Sequence, residues 1–276
     1  MPETGKGRKI FFTDIDDTLV NTDKSLSDEN RRALEAYVKT GSYLVISTGR
    51  VLFASIRLLK DLGLYDFPNT FISTCNGGLI YDTSRECVIY DSLIPLDQVA
   101  DVFRFAREFG IHIQTYTDTE VVSEKDTPDL QRYCAIQKMP PLIAERVEDV
   151  LRQSPPKILA IDYESPEHVT EFRNYLEPKI GERLDLYKSN PWLLEIVQKG
   201  VNKGNALRFM ADYLSVPIED TVSAGDEEND LTMIEAAGTG CAMCNGKDSL
   251  KEIADYVTEK DNNHGGVAEI LYKFCI

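Results

Sequence analysis

The chain has 276 residues, of which 42% are apolar, and a formal net charge of −16. That size holds one large domain or two modest ones, and the acidic balance argues against a nucleic-acid partner, whose phosphates demand stripes of Lys and Arg. No stretch approaches the length that crosses a bilayer, no signal peptide follows Lys6, Arg8 and Lys9 because Asp14 stops the apolar run, and the six scattered cysteines read as reduced, so a cytoplasmic protein is expected.

The first third alternates strand and helix signals. Ile10–Thr13 is a short apolar run closed by Asp14, Asp16 and Asp17, the pattern of a buried strand meeting a loop. Ser27 then caps a helix whose apolar face is Ala33, Leu34, Tyr37 and Val38, and Gly41 ends it. Asn30, rather than Glu or Gln, stands at the third helical position, so the capping box is incomplete. Ser42–Ser47 is a second strand, an amphipathic helix runs to about Leu62, and Phe71–Thr74 is a third strand leading into Asn76-Gly77-Gly78. This order implies a parallel sheet covered on both faces.

From Leu79 the rhythm changes. A hairpin joins Leu79–Tyr81 to Val88–Tyr90, a helix spans Leu96 to Phe109, and strands lie near His112–Thr115 and Glu120–Ser123. Asp126–Pro141 reads as irregular, Val147–Leu151 as weakly helical, Lys157–Tyr163 as a strand, His168–Leu176 as a helix, and Leu184–Tyr187 and Leu193–Val197 as strands. The opening rhythm then returns with a helix over Asn202–Leu214, a strand over Thr221–Ala224, an acidic loop from Gly225 to Asp230, a helix over Leu231–Ala236 and short strands at Gly240–Met243 and Tyr256–Thr258. The expected organisation is one core from residues 1–91 and 199–276, with an inserted α+β domain at 92–198. Ligands on open α/β sheets bind outside the carboxyl ends of the strands, which is where the carboxylates after the first strand and the acidic loop after Ala224 both fall.

Crowded carboxylates repel one another and lose solvation, and a hard cation offsets both effects. The available donors are oxygens, without a His or Cys grouping, which favours Mg²⁺. Cys241-Ala-Met-Cys244 has the spacing of a metal or redox pair, but no second pair completes a zinc site.

Four elements follow predicted strands or open predicted helices: Asp14-x-Asp16, Ser47-Thr48-Gly49-Arg50, Lys203-Gly204 and Gly225-Asp226-x-x-Asn229-Asp230. In this order they resemble the haloacid dehalogenase-like hydrolase superfamily, specifically its Cof-type phosphatases. Asn76-Gly77 and the tail Ala254-Asp255-Tyr256-Val257-Thr258 … Gly265-Gly266-Val267-Ala268 extend the resemblance over nearly the whole chain. It implies an α/β protein with a Rossmann-like parallel-sheet core and an inserted α+β cap of the large type IIB kind. The implied activity is Mg²⁺-dependent hydrolysis of a small phosphorylated metabolite, a sugar phosphate among the candidates. The cap would close over the site and exclude bulk water.

Phosphate monoesters hydrolyse so slowly that enzymes supply up to about 10²¹-fold acceleration, which calls for charge neutralisation and a divided, covalent path. Asp14 is the candidate nucleophile, forming an aspartyl-phosphate, and Asp16 the candidate general acid and then base. Crowding by Asp14 and Asp226 is expected to raise the proton affinity of Asp16. The resemblance assigns the metal to Asp14, the backbone carbonyl of Asp16 and Asp226. Asp230 is a further metal-site residue that orients metal-bound water or Lys203. Thr48, with Gly49, would offer its hydroxyl and backbone N–H to phosphoryl oxygens at a helix start. Asn76 and Asn229 would contact the phosphate, and Lys203 would hold the nucleophile and the transferring group. Asp17 stands where many relatives carry Gly, and Arg50 is expected to pair with an acidic neighbour. A phosphomutase or phosphotransferase would use the same nucleophile; a non-catalytic metabolite-binding protein need not keep it. The chain is expected to act as a monomer or weak homodimer on a small phosphorylated metabolite, with no nucleic-acid or membrane partner.

Overall fold

The structure, a computed structural model, describes residues 7–276; Lys6, part of the basic start of the chain, lies outside them. Chain contacts divide it into two compact units. One comprises the chain up to Arg50, Ser55–Tyr90 and Asn202–Ile276; the other comprises Val51–Ala54 and Asp91–Val201.

In chain order the opening elements are β1 (Ile10–Asp14), α1 (Asp28–Lys39), β2 (Tyr43–Ser47), α2 (Leu52–Asp61), β3 (Thr70–Thr74), β4 (Leu79–Asp82) and β5 (Cys87–Asp91). The middle of the chain forms α3 (Leu96–Phe109), β6 (His112–Tyr116), β7 (Val121–Ser123), α4 (Pro128–Gln137), β8 (Pro141–Ile143) and α5 (Val147–Val150). It continues with β9 (Ile158–Ile161), α6 (Pro166–Ile180), β10 (Leu184–Asn190) and β11 (Leu193–Gln198). The last part forms α7 (Lys203–Leu214), β12 (Thr221–Gly225), α8 (Leu231–Ala236), β13 (Thr239–Ala242), α9 (Asp248–Lys251), β14 (Tyr256–Val257) and α10 (Gly266–Phe274).

The first unit is built on an eight-stranded sheet of order β14-β13-β12-β1-β2-β3-β4-β5. The strands from β14 to β3 run parallel, and β4 joins β3 antiparallel. Alternate side chains of the central strands serve two cores. Phe11, Leu44, Ile46 and Ile72 pack with Leu34 and Tyr37 of α1 and Ile270 and Leu271 of α10. Phe12, Val45 and Phe71 pack instead with Leu207 and Met210 of α7 and Met233 of α8. This period of two on a sheet covered on both sides is why β1, β2 and β3 are buried at every position. The predicted cap of α1 forms, with the Ser27 hydroxyl accepting from the Asn30 N–H. Asn30 itself is buried, donating to the Leu19 carbonyl and accepting from the Ala268 N–H, so its side chain ties α1 to the start of α10.

The second unit holds a six-stranded sheet of order β10-β11-β9-β6-β7-β8. Ile113, Ile158, Leu194 and Ile196 pack there with Val102 and Phe103 of α3 and Phe172 and Leu176 of α6. The expectation of irregular chain over Asp126–Pro141 is wrong, because α4 occupies most of it. The Thr127 hydroxyl caps the helix by accepting from the Leu130 N–H, and Pro128 sits in its first turn, where a missing N–H costs nothing. Among the described residues no helix is long and apolar enough to cross a membrane, and all six cysteines are free.

Candidate active site

β1 and β12 are adjacent parallel strands, with Thr13 level with Ala224. Their carboxyl ends therefore release Asp14 and Asp226 side by side. Asp14, Asp226 and Asp230 each offer a carboxylate oxygen within 4.8 Å of the others, and all three are buried. Asp230 reaches the cluster because residue 225 is glycine: a Cβ there would stand 2.5 Å from the Cβ of Asp230. One Asp230 oxygen accepts from the backbone N–H groups of Asp226 and Glu227 at 2.9 and 3.0 Å. The other accepts from Lys203.

Lys203 is the first residue of α7, whose cap is Asn202. Its ammonium is fully buried and donates at 2.5 Å to both Asp14 and Asp230. Burial pushes its pKa down, but the facing carboxylates of Asp14 and Asp230 outweigh burial and lift it above its ordinary value. Gly204 lets the start of α7 sit this deep, since a Cβ there would lie 2.2 Å from the Thr232 carbonyl oxygen of α8.

One cation does not balance three carboxylates. Burial, and then the charge of Asp230 against the relief from Lys203, raises Asp14 to about 7. Burial and the charges of Asp14 and Asp230 raise Asp226 to about 8. The donor set is all oxygen and short of positive charge, which fits a hard divalent cation. Both Asp230 oxygens are engaged by donors, so Asp14 and Asp226 are the carboxylates left to ligate it.

Thr18, which the sequence reading missed, donates its buried hydroxyl to Asp226 at 2.5 Å. Its position four residues after Asp14, at the end of the turn that leaves β1, is the signal that could have found it. Asp17 within that turn has φ 59°, a left-handed conformation that Asp tolerates and Gly prefers.

Asp16 departs from expectation. Its carboxylate receives two bonds of 2.8 Å from Arg50 and an ion pair of 3.0 Å from Lys24. Burial pushes this group up, but the two cations overcome it and bring it to about 2. The expected rise in proton affinity is thus reversed, because Asp16 turns toward Arg50 and Lys24. The ion pair expected for Arg50 is present.

Thr48 also differs in part. Its backbone N–H bonds to the Ser73 carbonyl at 2.9 Å, because β2–β3 pairing runs one residue past β2. That N–H is therefore not free for a phosphoryl oxygen. The hydroxyl accepts from the Arg50 N–H, and α2 starts only at Leu52, so Thr48 and the half-buried Gly49 lie in the preceding loop rather than at a helix start. Asn76 is buried at φ 58°, and its side-chain oxygen accepts from Asn229 at 3.0 Å. The structure thus joins Asp14, Asp226, Asp230 and Lys203 in one cluster, Asp16 with Arg50, and Asn76 with Asn229.

Known proteins are similar to this chain over nearly its whole length. The family model described as haloacid dehalogenase-like hydrolase matches residues 11–271. The 5-amino-6-(5-phospho-D-ribitylamino)uracil phosphatase YwtE of Bacillus subtilis is 30% identical over 291 residues, covering 95% of this chain and 96% of its own. A haloacid dehalogenase-like hydrolase from Bacteroides thetaiotaomicron superimposes with a TM-score of 0.87 at 28% identity, covering 96% of this chain and 99% of that one. The protein TM0651 from Thermotoga maritima gives 0.83 at 31% identity, covering 96% and 97%.

Proposed function

The chain belongs to the haloacid dehalogenase-like hydrolase family, and from that premise we propose that it is a phosphatase of a small phosphorylated metabolite. The observation that carries the reading is the convergence of Asp14, Asp226, Asp230 and Lys203 at the carboxyl ends of β1 and β12. A metabolite-binding protein without chemistry has no need to gather three buried carboxylates around one ammonium at the strand ends.

Asp14 attacks phosphorus with the oxygen not held by Lys203, forming an aspartyl-phosphate, and water then releases phosphate. Lys203 keeps the nucleophile aligned and neutralises charge on the transferring group. Asp16 gives a proton to the leaving oxygen and later takes one from the attacking water. For this it must swing away from Arg50 and Lys24, because the carboxylate they hold is ionised at neutral pH. The Thr48 hydroxyl, the Gly49 backbone and the Asn76–Asn229 pair bind phosphoryl oxygens. Asp14, Asp226 and the backbone carbonyl of Asp16 hold Mg²⁺, with Asp230 fixing Lys203 and the loop behind it. The ion supplies the positive charge against which a phosphoryl group and two carboxylates coexist.

The test is a panel of phosphate monoesters, including sugar phosphates and the phosphorylated ribityl compound in the name of YwtE, assayed for free phosphate with Mg²⁺ and with chelator. Magnesium-dependent release from at least one member is expected. A phosphorylated isomer formed without free phosphate would make the chain a mutase, and no turnover of any monoester would end the reading.

A further inference from the structure

Asp14, Ser47 and Ser73 form one row across three strands, Asp14 level with Ser47 and Ser47 level with Ser73. The residues two positions earlier in each strand, Phe12, Val45 and Phe71, belong to the core shared with α7. By the two-residue alternation of a strand, Ser47 and Ser73 face α7 as well, the side from which Lys203 reaches Asp14. Ser223, two residues before Gly225 on β12, faces the same side. All three serines are fully buried. None of the three hydroxyl oxygens meets a hydrogen-bond partner in the protein.

Lys203 adds a donor to this group. An ammonium has three N–H bonds, and the two carboxylates take one each. Buried polar groups are paired with few exceptions, and where protein partners fail an internal water making two to four hydrogen bonds commonly replaces them. Ser47 and Ser73, on neighbouring strands in the row of Asp14, and the spare N–H of the ammonium that Asp14 holds, provide the number and kind of partners such a water requires.

We propose that Ser47 and Ser73 hold an internal water molecule behind the Asp14–Lys203 pair, and that this water sets the direction of the Lys203 ammonium. It accepts the third N–H of Lys203 and donates its two protons to the Ser47 and Ser73 oxygens. Ser47 and Ser73 are positioning residues, since they act on Asp14 through Lys203. The role in turnover rests on the reading of Asp14 as the attacking group, whereas the water and its hold on Lys203 do not.

The experiment therefore has readouts with and without turnover. A high-resolution crystal structure of the wild-type protein is expected to show density for a water within hydrogen-bonding distance of both serine oxygens. Absence of that density overturns the proposal. In ¹⁵N-lysine spectra the buried Lys203 ammonium is expected to shift and to exchange its protons faster in Ser47→Ala/Ser73→Ala, and an unchanged signal overturns the positioning role. In turnover the double variant is expected to lose at least tenfold in kcat with KM within twofold and its melting temperature maintained. Full kcat in the double variant would limit the serines to hydration and contradict the proposal. If the double variant fails to fold, Ser47→Ala alone carries the same readouts. A wild-type protein with the water in place but no phosphatase activity would refute the proposed function and leave this site standing.

Discussion

Lys203 and Asp14 are 189 positions apart in the chain and meet at 2.5 Å, both buried, with Asp230 on the other side of the same ammonium. Breaking such a buried arrangement by removing one partner is far more costly than its net worth suggests, since the remaining charge is left unpaired. The bond thus joins the start of α7 to the end of β1 and to the loop after β12, and it fixes the direction of the carboxylate that is proposed to attack.

The position of α7 leads to a prediction about Gly204. A Cβ at this residue would stand 2.2 Å from the Thr232 carbonyl oxygen. Gly204→Ala is expected to push the first turn of α7 outward, costing about 2 kcal/mol or more of stability, as overpacking does. Because Lys203 is the adjacent residue, activity should fall more than the loss of folded protein explains. Urea denaturation with kcat measured on the folded fraction checks both parts; wild-type stability and kcat would show that the helices separate without cost.

The raised carboxylates link metal binding to pH. Asp14 at about 7 and Asp226 at about 8, against an ordinary 3.8, hold protons in the native state that the unfolded chain has released. The contribution is fully present below pH 3.8 and is lost as pH rises through 7 to 8, so the metal-free protein loses stability over that window. A divalent cation reverses the loss by neutralising the same charges. The rise in melting temperature on adding Mg²⁺ to chelator-treated protein is therefore expected to be larger at pH 8 than at about pH 5.5. A larger rise at the lower pH would contradict this linkage.

Asp16 shifts in the opposite direction. Arg50 and Lys24, working against burial, hold it at about 2, so its ion pairs stabilise the protein above pH 3.8 and are lost as pH falls toward 2. Arg50→Gln removes two bonds of 2.8 Å and lets the group return toward its ordinary value. If Asp16 protonates the leaving oxygen, the alkaline limb of the kcat/KM profile should move to higher pH by about one unit. A limb that moves to lower pH or stays in place would assign the proton to another group.

Much of this site was legible in the sequence, for a physical reason. A parallel sheet buries its strands on both faces, so the apolar runs before Asp14 and Thr48 mark both the strands and the end where polar residues gather, while the small mixed run Thr221–Gly225 marks the strand before Asp226. What the sequence did not reveal depends on geometry across strands. The N–H of Thr48 is taken by Ser73 because the β2–β3 ladder continues one residue beyond the strand. Thr18 needed the turn at Asp17 to bring its hydroxyl to Asp226. Crowding was expected to set the proton affinity of Asp16, but Lys24, on a loop the sequence left unassigned, and Arg50 decide it. α4 was hidden because Thr127-Pro128 reads equally as a loop or as a capped helix start, and the structure takes the second.

The central claim is that phosphorus passes through the carboxylate of Asp14. Rapid acid quench of a turnover reaction, followed by peptide mass spectrometry with and without hydroxylamine, tests it most directly. The account predicts a hydroxylamine-labile phosphoryl group on the peptide containing Asp14, absent in Asp14→Asn, with turnover in that variant lower by about 10⁴-fold or more. Undiminished phosphate release by Asp14→Asn, with no acyl phosphate trapped on the wild-type residue, would contradict it.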